Sequence, residues 1–219
     1  MGGWSMRALL DTYGSMLVKS IGIHMVYVLV SVAIGFVLGL GLGILLSRLP
    51  RRWSTVLMPL LSIFQTIPGI VFIGLLYLAL GMVPATVIVA LAVYATFPVL
   101  KNTYTGLQQV DASYKEAARG CGMSPFQVLW KVELPLAMPT IIAGLRMSTI
   151  YTVSWAVLAS MIGLGGLGDF IYQGVASNNS VLIVAGAIPA AIMAVVLGTV
   201  IDRLQKRVVP RGLRKEAGT

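Results

Sequence analysis

Charged residues are scarce in this chain of 219 residues, since Asp, Glu, Lys and Arg together make up only 11% of it. Soluble domains carry about 25% charged residues. A water-soluble globule of this size could not cover a content of 58% hydrophobic residues, because much of a small domain must face water. The same wealth of apolar side chains excludes an intrinsically disordered chain.

Cysteine and histidine are almost absent, with one of each. The single Cys121 excludes an intrachain disulfide and a cysteine-rich zinc site, and we expect it to be a small buried residue. His24 has no companion ligand, so we predict a role in packing or at an interface and no metal site. Acidic residues are outnumbered by basic ones, seven against 16, which gives a formal net charge of +9. This surplus is typical of nucleic-acid-binding proteins or of membrane proteins with basic loops.

Long uncharged segments decide between these two classes. Four stretches of 22 to 48 residues contain no charged side chain: 20–47, 53–100, 147–168 and 170–201. A helix needs about 20 apolar residues to cross a bilayer, and Gly81-Met-Val-Pro84 divides the longest stretch into two crossings. Because a lone segment in lipid must satisfy its own backbone polar groups, we predict an all-α integral membrane fold.

Five transmembrane helices follow from these stretches, within a single transmembrane domain over 1–219. The first is too long for a cleavable signal peptide, so we expect it to be retained. The predicted spans, each uncertain by about 2–4 residues at its ends, cover 20–48, 55–80, 84–107, 138–162 and 180–203.

The basic residues predict the orientation of the spans. An N-terminus outside places 14 of the 16 basic residues inside, as expected for cytoplasmic loops. The C-terminus is then cytoplasmic, and its basic tail contacts anionic membrane lipid. Nucleic-acid binding is excluded, because the basic residues are scattered and no binding module is visible. The residues placed inside are Arg48, Arg51, Arg52, Lys101, Lys115, Arg119, Lys131, Arg146, Arg203, Lys206, Arg207, Arg211, Arg214 and Lys215, with Arg7 and Lys19 outside.

One connection, residues 108–137, is longer than the rest, and we call it the long loop. It reads as two short helices separated by Gly120 and Gly122. Asp111 or Ser113 can cap the first helix, and Ser113 with Glu116 has the spacing of a capping box.

The second short helix has a clearer start. Ser124 is a capping residue, Pro125 suits a first helical turn, and Gln127 completes a capping box. Large apolar side chains on a water-facing loop suggest a protein partner. Those expected to be exposed are Tyr114, Met123, Phe126 and Trp130.

The long loop also contains a spaced motif. Glu116-Ala117-Ala118 is followed after three residues by Gly122, and nine residues later by Val132 and then Leu134-Pro135. This resembles the EAA loop of ABC importer permeases, EAA-x3-G-x9-I-x-LP, with Val132 in place of Ile as the one departure. The resemblance implies an ATPase-coupling surface made of Glu116, Ala117, Ala118, Arg119, Gly122, Phe126, Leu134 and Pro135. Glu116 and Arg119 could form ion pairs across that surface or with each other.

The resemblance extends over nearly the whole chain and is strongest to osmoprotectant permeases, which import glycine betaine, carnitine or choline. It is carried by segments such as Gln65-Thr-Ile-Pro68, Pro98–Gly106, Ala143–Tyr151 and Trp155–Ser160. Methionine-importer permeases share the five-span plan and match less closely. The resemblance therefore implies the type I, MetI-like permease fold, with ergothioneine, bile-related compounds or methionine as alternative solutes.

The resemblance further implies a division of labour in a bacterial plasma membrane. The chain lacks a GxxxxGK[ST] phosphate-binding loop, so we do not expect it to hydrolyse ATP or to be an enzyme. We likewise expect no catalytic residue, metal or cofactor in this chain. ATP and Mg would be bound by two copies of a partner ATPase. A second permease subunit, identical or similar, and a separate extracytoplasmic solute-binding protein complete the expected assembly. An ATP-independent secondary transporter is the rival interpretation, although no repeat is visible.

Polar and aromatic residues within the spans are candidates for the solute pathway, and faces of Tyr and Trp attract quaternary ammonium groups. Packing or interfacial anchoring remains the alternative for each of them. Pro68 is also expected to kink the second span. The candidate pathway residues are Gln65, Thr66, Pro68, Tyr94, Tyr151, Ser154 and Trp155.

Glycines mark two further features. Gly163-Leu-Gly-Gly-Leu-Gly168 matches GxGxxG but follows a membrane helix, which excludes the dinucleotide-binding interpretation. We expect a tight turn or close helix contact there; the candidate outer gate comprises Gly163, Gly165, Gly166, Gly168 and Asp169, with a plain solvated loop as alternative. Glycines every four residues on the first span, Gly35, Gly39 and Gly43, predict close helix packing within the subunit or a dimer seam.

Arg146 is a basic residue within the fourth predicted span, near its inner end. A long cationic side chain at such a position can reach the interface or find an anion. We expect Arg146 to extend toward the interface, or to pair with Glu133 or a lipid phosphate.

Overall fold

A computed structural model describes residues 6–208, with side chains over 11–207. Within that range every regular element is helical, which confirms the predicted all-α fold. The side chain of Arg7 and the tail residues Arg211, Arg214 and Lys215, for which we predicted an orientation, lie outside this description.

Nine α-helices make up the described range. Three short segments of other helix types lie between some of these α-helices. Two are 3₁₀ turns, at Ile63–Gln65 and Val157–Ile162, and the third is a π-helical turn at Leu129–Glu133. The α-helices are α1 (Met6–Arg48), α2 (Arg51–Ser62), α3 (Gly69–Leu80), α4 (Pro84–Gln108), α5 (Ala112–Gly120), α6 (Pro125–Val128), α7 (Leu134–Ala156), α8 (Gly168–Ala176) and α9 (Ser180–Val208).

The described helices allow four or five membrane spans, and their ends differ from those predicted. Four of the described helical segments are long and apolar enough to cross a membrane, and α2 with α3 supplies a fifth if this broken pair is one span. Helix α1 begins at Met6, earlier than the predicted start at 20. The uncharged stretch marks the apolar part of a helix, whereas charged residues such as Asp11 and Lys19 continue the helix beyond it.

Proline and glycine break the second hydrophobic stretch where predicted. The 3₁₀ turn ends at Gln65 and α3 starts at Gly69, with Pro68 as the residue before the helix. Helix α3 in turn ends at Leu80, and the next residue is Gly81, whose φ of +78° is favourable for glycine. The break at Pro68 separates Gln65 and Thr66 from α3.

The chain divides into two compact units, and each of the four longest helices contributes to both. Of the described residues, the first unit contains 6–33, 67–93 and 149–197. The second contains 34–66, 94–148 and 198–208.

In the second unit, α1 packs on α4 through its spaced glycines. A Cβ atom added to Gly35 would lie 2.6 Å from Ala95 Cβ, and one added to Gly39 would lie 2.6 Å from the carbonyl oxygen of Thr96. Gly43 is equally close to Thr103. The glycines therefore serve close packing within the subunit, as one of the two interpretations predicted.

Candidate functional site

The first helix of the long loop, α5, starts at a side-chain cap. Asp111 has non-helical backbone angles (φ −55°, ψ 140°), and its carboxylate accepts a 2.8 Å hydrogen bond from the backbone N–H of Ser113. This bond lowers the pKa of the Asp111 carboxyl. The predicted capping box of Ser113 and Glu116 is wrong, because Ser113 already lies inside the helix.

A tight turn then separates α5 from α6. Helix α5 ends at Gly120, and Gly122 has a φ of +78°, which a residue with a Cβ rarely adopts. Ser124 and Gln127 form the predicted capping box, with hydrogen bonds of 2.8 and 3.3 Å between each side chain and the other's backbone N–H. Local capping thus holds this short elbow in one shape.

An aromatic surface covers the outside of the elbow. Phe126 is 69% exposed and Trp130 is 54% exposed, and their ring centroids lie 5.9 Å apart. Tyr114 is also exposed, whereas Met123 is only half-exposed. The expectation that Cys121 is buried is wrong: the turn between the two helices leaves it exposed.

The residues of the EAA-like motif divide into a buried set and an exposed set. Ala118 and Leu134 are buried, and Leu134 packs with Leu107, Val110 and Ile141 in a core beneath the loop. Pro135 is half-buried. The residues that face outward are Glu116, Ala117, Arg119, Gly122 and Phe126.

Glu116 and Arg119 carry the charge of this outward face. Within the described part of the chain neither forms an ion pair, so their i,i+3 spacing is not used for pairing with each other. Both charges are therefore accessible for a partner.

The glycine-rich segment after α7 forms a tight turn, as one interpretation predicted. Gly163, Gly165 and Gly166 have φ values of +74°, +79° and +104°, a region that L-residues avoid. Gly168 then opens α8 in close contact with the 3₁₀ turn before it. A Cβ added there would lie 2.1 Å from both Ser160 Oγ and the carbonyl oxygen of Val157.

Two side chains of α1 hold this turn. His24 is fully buried; its Nε2 lies 3.0 Å from the carbonyl oxygen of Val153, and the Leu167 N–H points to Nδ1 at 3.4 Å. These bonds suit a neutral ring protonated on Nε2. One turn further along α1, the Tyr27 hydroxyl donates to the carbonyl oxygen of Leu164 at 2.8 Å. The packing role predicted for His24 is thus confirmed. Partial burial raises the pKa of the Asp169 carboxyl, at the start of α8.

Of the candidate pathway residues, the structure brings Tyr151 and Trp155 together, with ring centroids 6.0 Å apart on one face of α7. Tyr151 is 44% exposed, and Ser154 beside it is also exposed. Tyr94 differs, because its side chain is buried within the second unit.

The remaining candidates lie at the break in the second span. Thr66 and Pro68 are exposed and Gln65 is half-exposed. The hydroxyl of Thr66 donates to the carbonyl oxygen of Ile63 at 2.7 Å. This bond helps to satisfy the backbone where the helix stops.

Arg146 has a partner that the sequence did not suggest. Its Nε lies 2.9 Å from the carboxylate of Asp202 on α9, so the predicted pairing with Glu133 is wrong. Glu133 instead pairs with Arg48. The sequence offered one clue to these pairs, which is that it contains only seven acidic residues against 16 basic ones. A carboxylate near a span is stabilised by a basic partner, and several basic residues are available to each carboxylate.

The comparison with known protein families decides the identity of the fold. Residues 25–214 match the family described as "Binding-protein-dependent transport system inner membrane component". The chain belongs to this family. It is therefore a membrane-embedded permease component, a transport subunit and not an ATPase.

Relatives of this permease match nearly its whole length. It is 37% identical over 209 residues to the glycine betaine/carnitine/choline transport system permease protein OpuCB of Bacillus subtilis, covering 95% of this chain and 96% of that protein. It is 38% identical over 194 residues to the carnitine transport permease protein OpuCB of Listeria monocytogenes, covering 88% of each chain.

A solved structure shares the fold. The permease superimposes with a TM-score of 0.81 on a chain of the MetNI methionine ABC transporter in an inward-facing conformation, covering 91% of this chain and 99% of that one at 24% identity. The MetI-like fold predicted from the sequence is confirmed. ABC importer permeases act together with an ATPase and a substrate-binding protein, and this partnership applies here in its general form.

Proposed function

We propose that this permease forms the membrane pathway for a quaternary-ammonium osmoprotectant of the glycine betaine, carnitine and choline class. The observation that carries the proposal is the 37% identity, spread over 95% of the chain, to a permease named for these three solutes. The Tyr151–Trp155 pair supports it, since aromatic faces attract quaternary ammonium groups and the ring of Tyr151 is exposed while that of Trp155 is half-buried. Weak contacts of this kind suit a pathway, from which the solute must be released.

The assembly we propose contains two permease subunits, two ATPases and a separate solute-binding protein. The N-terminus lies outside and the long loop inside, because this orientation places most basic residues on the cytoplasmic face. ATP and Mg belong to the ATPases. The glycine-rich turn, with Gly163, Gly165, Gly166, Gly168 and Asp169, then lies outside, where it can act as the outer gate.

The long loop is the ATPase-docking surface in this proposal. Its support is the combination of a capped, rigid elbow with an exposed aromatic pair, Phe126 and Trp130, and two accessible charges, Glu116 and Arg119. Exposed aromatic side chains of this kind are typical anchors in protein interfaces. Closure of the ATPases would push this elbow as a rigid body toward the spans.

Replacement of Phe126 by Ala tests the docking surface. We expect the variant to fold, because the 69% exposed ring contributes little to the core, and to bind the ATPase at least about tenfold more weakly, as interface anchors do. The measurement is the affinity of purified permease for the ATPase subunit. Val26→Ala, at a 55% exposed position of α1 in the other compact unit, is the matched control. Equal affinity of the Phe126 variant and the wild type would contradict this docking surface.

Uptake by reconstituted vesicles tests the function itself. Vesicles with the permease, its ATPase and its binding protein should take up radiolabelled glycine betaine, carnitine or choline only with ATP and all three components. Methionine, ergothioneine and a bile acid serve as comparison solutes. If the vesicles take up only one of these comparison solutes, the proposed solute class is wrong. If the permease takes up solute without the ATPase or without ATP, it is a secondary transporter.

A further inference from the structure

A buried carboxylate lies where the long loop meets the spans. The side chain of Glu133 is only 3% exposed. Each of the two terminal guanidinium nitrogens of Arg48 donates a hydrogen bond to one of its carboxylate oxygens. Lys115 Nζ lies 3.9 Å from Oε1 of the same carboxylate. Two cations thus surround one buried anion.

These three residues belong to three different elements. Arg48 is the last residue of α1, Lys115 lies in α5 of the long loop, and Glu133 ends the π-helical turn that leads into α7. Lys115 also donates to the carbonyl oxygen of Leu107, in the last turn of α4, at 3.5 Å. The carboxylate is therefore the point at which the loop helix is connected by charge to α1 and α7.

The π-helical turn explains how Glu133 reaches this position. Residues three apart in an α-helix lie on one face, so Trp130 and Glu133 would then point the same way. A π turn holds more residues than the 3.6 of an α turn and moves later residues to another face. Trp130 is accordingly 54% exposed while Glu133 is buried. The same short segment presents an aromatic ring outward and a carboxylate inward.

We propose that Arg48, Lys115 and Glu133 form the link through which displacement of the long loop is passed to α1 and α7. The inference rests on the proposed docking of the ATPase at this loop. Apolar side chains can slide past one another, whereas a two-point guanidinium–carboxylate pair fixes both distance and direction. All three act as positioning residues, since the exposed docking surface is formed by other side chains.

Stability alone is a weak reason for such a cluster. Removing one partner of a buried ion pair leaves an uncompensated charge, but replacing both partners with apolar residues is often neutral or stabilising. The combined variant Arg48→Met with Glu133→Leu therefore separates the two roles. It removes the guanidinium–carboxylate contact, while Lys115, whose side chain is 25% exposed, still reaches water and the carbonyl oxygen of Leu107.

The decisive measurement is the amount of solute imported per ATP hydrolysed, in vesicles containing the complete complex. For the combined variant we expect unchanged ATPase affinity and a ratio reduced by about fivefold or more, the lower end of typical coupling between sites. Arg52→Met, which removes an exposed basic residue four positions from Arg48, is the control and should keep the wild-type ratio.

Three results would overturn the link. An unchanged import ratio in the assembled combined variant would show that the cluster transmits nothing. Loss of ATPase binding by that variant would show that the cluster serves assembly of the complex instead. An equally reduced import ratio in Arg52→Met would show that the loss of any basic residue in this region has the same effect. Failure of the docking proposal is recognised separately, by undiminished ATPase affinity of Phe126→Ala.

Discussion

Gly168→Ala is expected to destabilise the permease severely, because its position at the start of α8 has no room for a methyl group. The new Cβ would lie 2.1 Å from the carbonyl oxygen of Val157 and from Ser160 Oγ, so the backbone itself must move. Overpacking of this kind costs about 1–3 kcal/mol and occasionally more, and a clash with backbone belongs at the upper end. The glycine-rich turn, held by His24 and Tyr27, would be displaced with α8.

The measurement is the melting temperature of the detergent-purified permease, followed by solute uptake in vesicles. Gly74→Ala is the matched control, since Gly74 belongs to the same compact unit and has no neighbour within 4 Å of an added Cβ. We expect that control to melt at or above the wild-type temperature. Similar melting of the two variants would refute the close contact at Gly168.

Gly39→Ala is expected to separate α1 from α4. Its Cβ would lie 2.6 Å from the carbonyl oxygen of Thr96 and 2.7 Å from Val99 Cβ, so the two helices could not keep their present spacing. We expect a loss of about 1–3 kcal/mol in the free energy of unfolding. This loss outweighs the gain of about 0.5–1 kcal/mol that Ala normally brings to a helix interior.

Gly41 provides an unusually close control, because it lies on the same helix two residues away and has nothing within 4 Å of an added Cβ. Gly41→Ala should therefore be neutral or stabilising. Denaturant or thermal unfolding of the two variants in the same detergent compares them directly. If Gly41→Ala is as harmful as Gly39→Ala, helix spacing is not what Gly39 provides.

Much of the architecture was predictable because it depends on local rules. The thickness of a bilayer sets the length of a span, so counting uncharged stretches located the four long apolar helices and the broken pair of α2 and α3. Caps and turns depend on residues three or four positions apart, which is why the Ser124–Gln127 capping box and the turn at Gly122 were predicted correctly. The EAA-like motif is also a short pattern, and it located the long loop.

The errors share a different cause. Helix α1 extends beyond its uncharged stretch because a helix tolerates charged residues where the membrane ends. Cys121 proved exposed because composition says nothing about which way a turn residue points. The π-helical turn at Leu129–Glu133 has no local sequence signature, so the inward position of Glu133 could not be foreseen.

The sequence alone was sufficient for the membrane class, the all-α fold and the family resemblance, because each follows from composition or from short spacing. Tertiary structure decided the partners of the charges. Glu133 pairs with Arg48, 85 positions away, and Arg146 pairs with Asp202 on another helix. A charge has many possible partners along a chain, and only the packing of helices determines which one lies within reach. That packing placed the single buried carboxylate of the long loop between α1, α5 and α7.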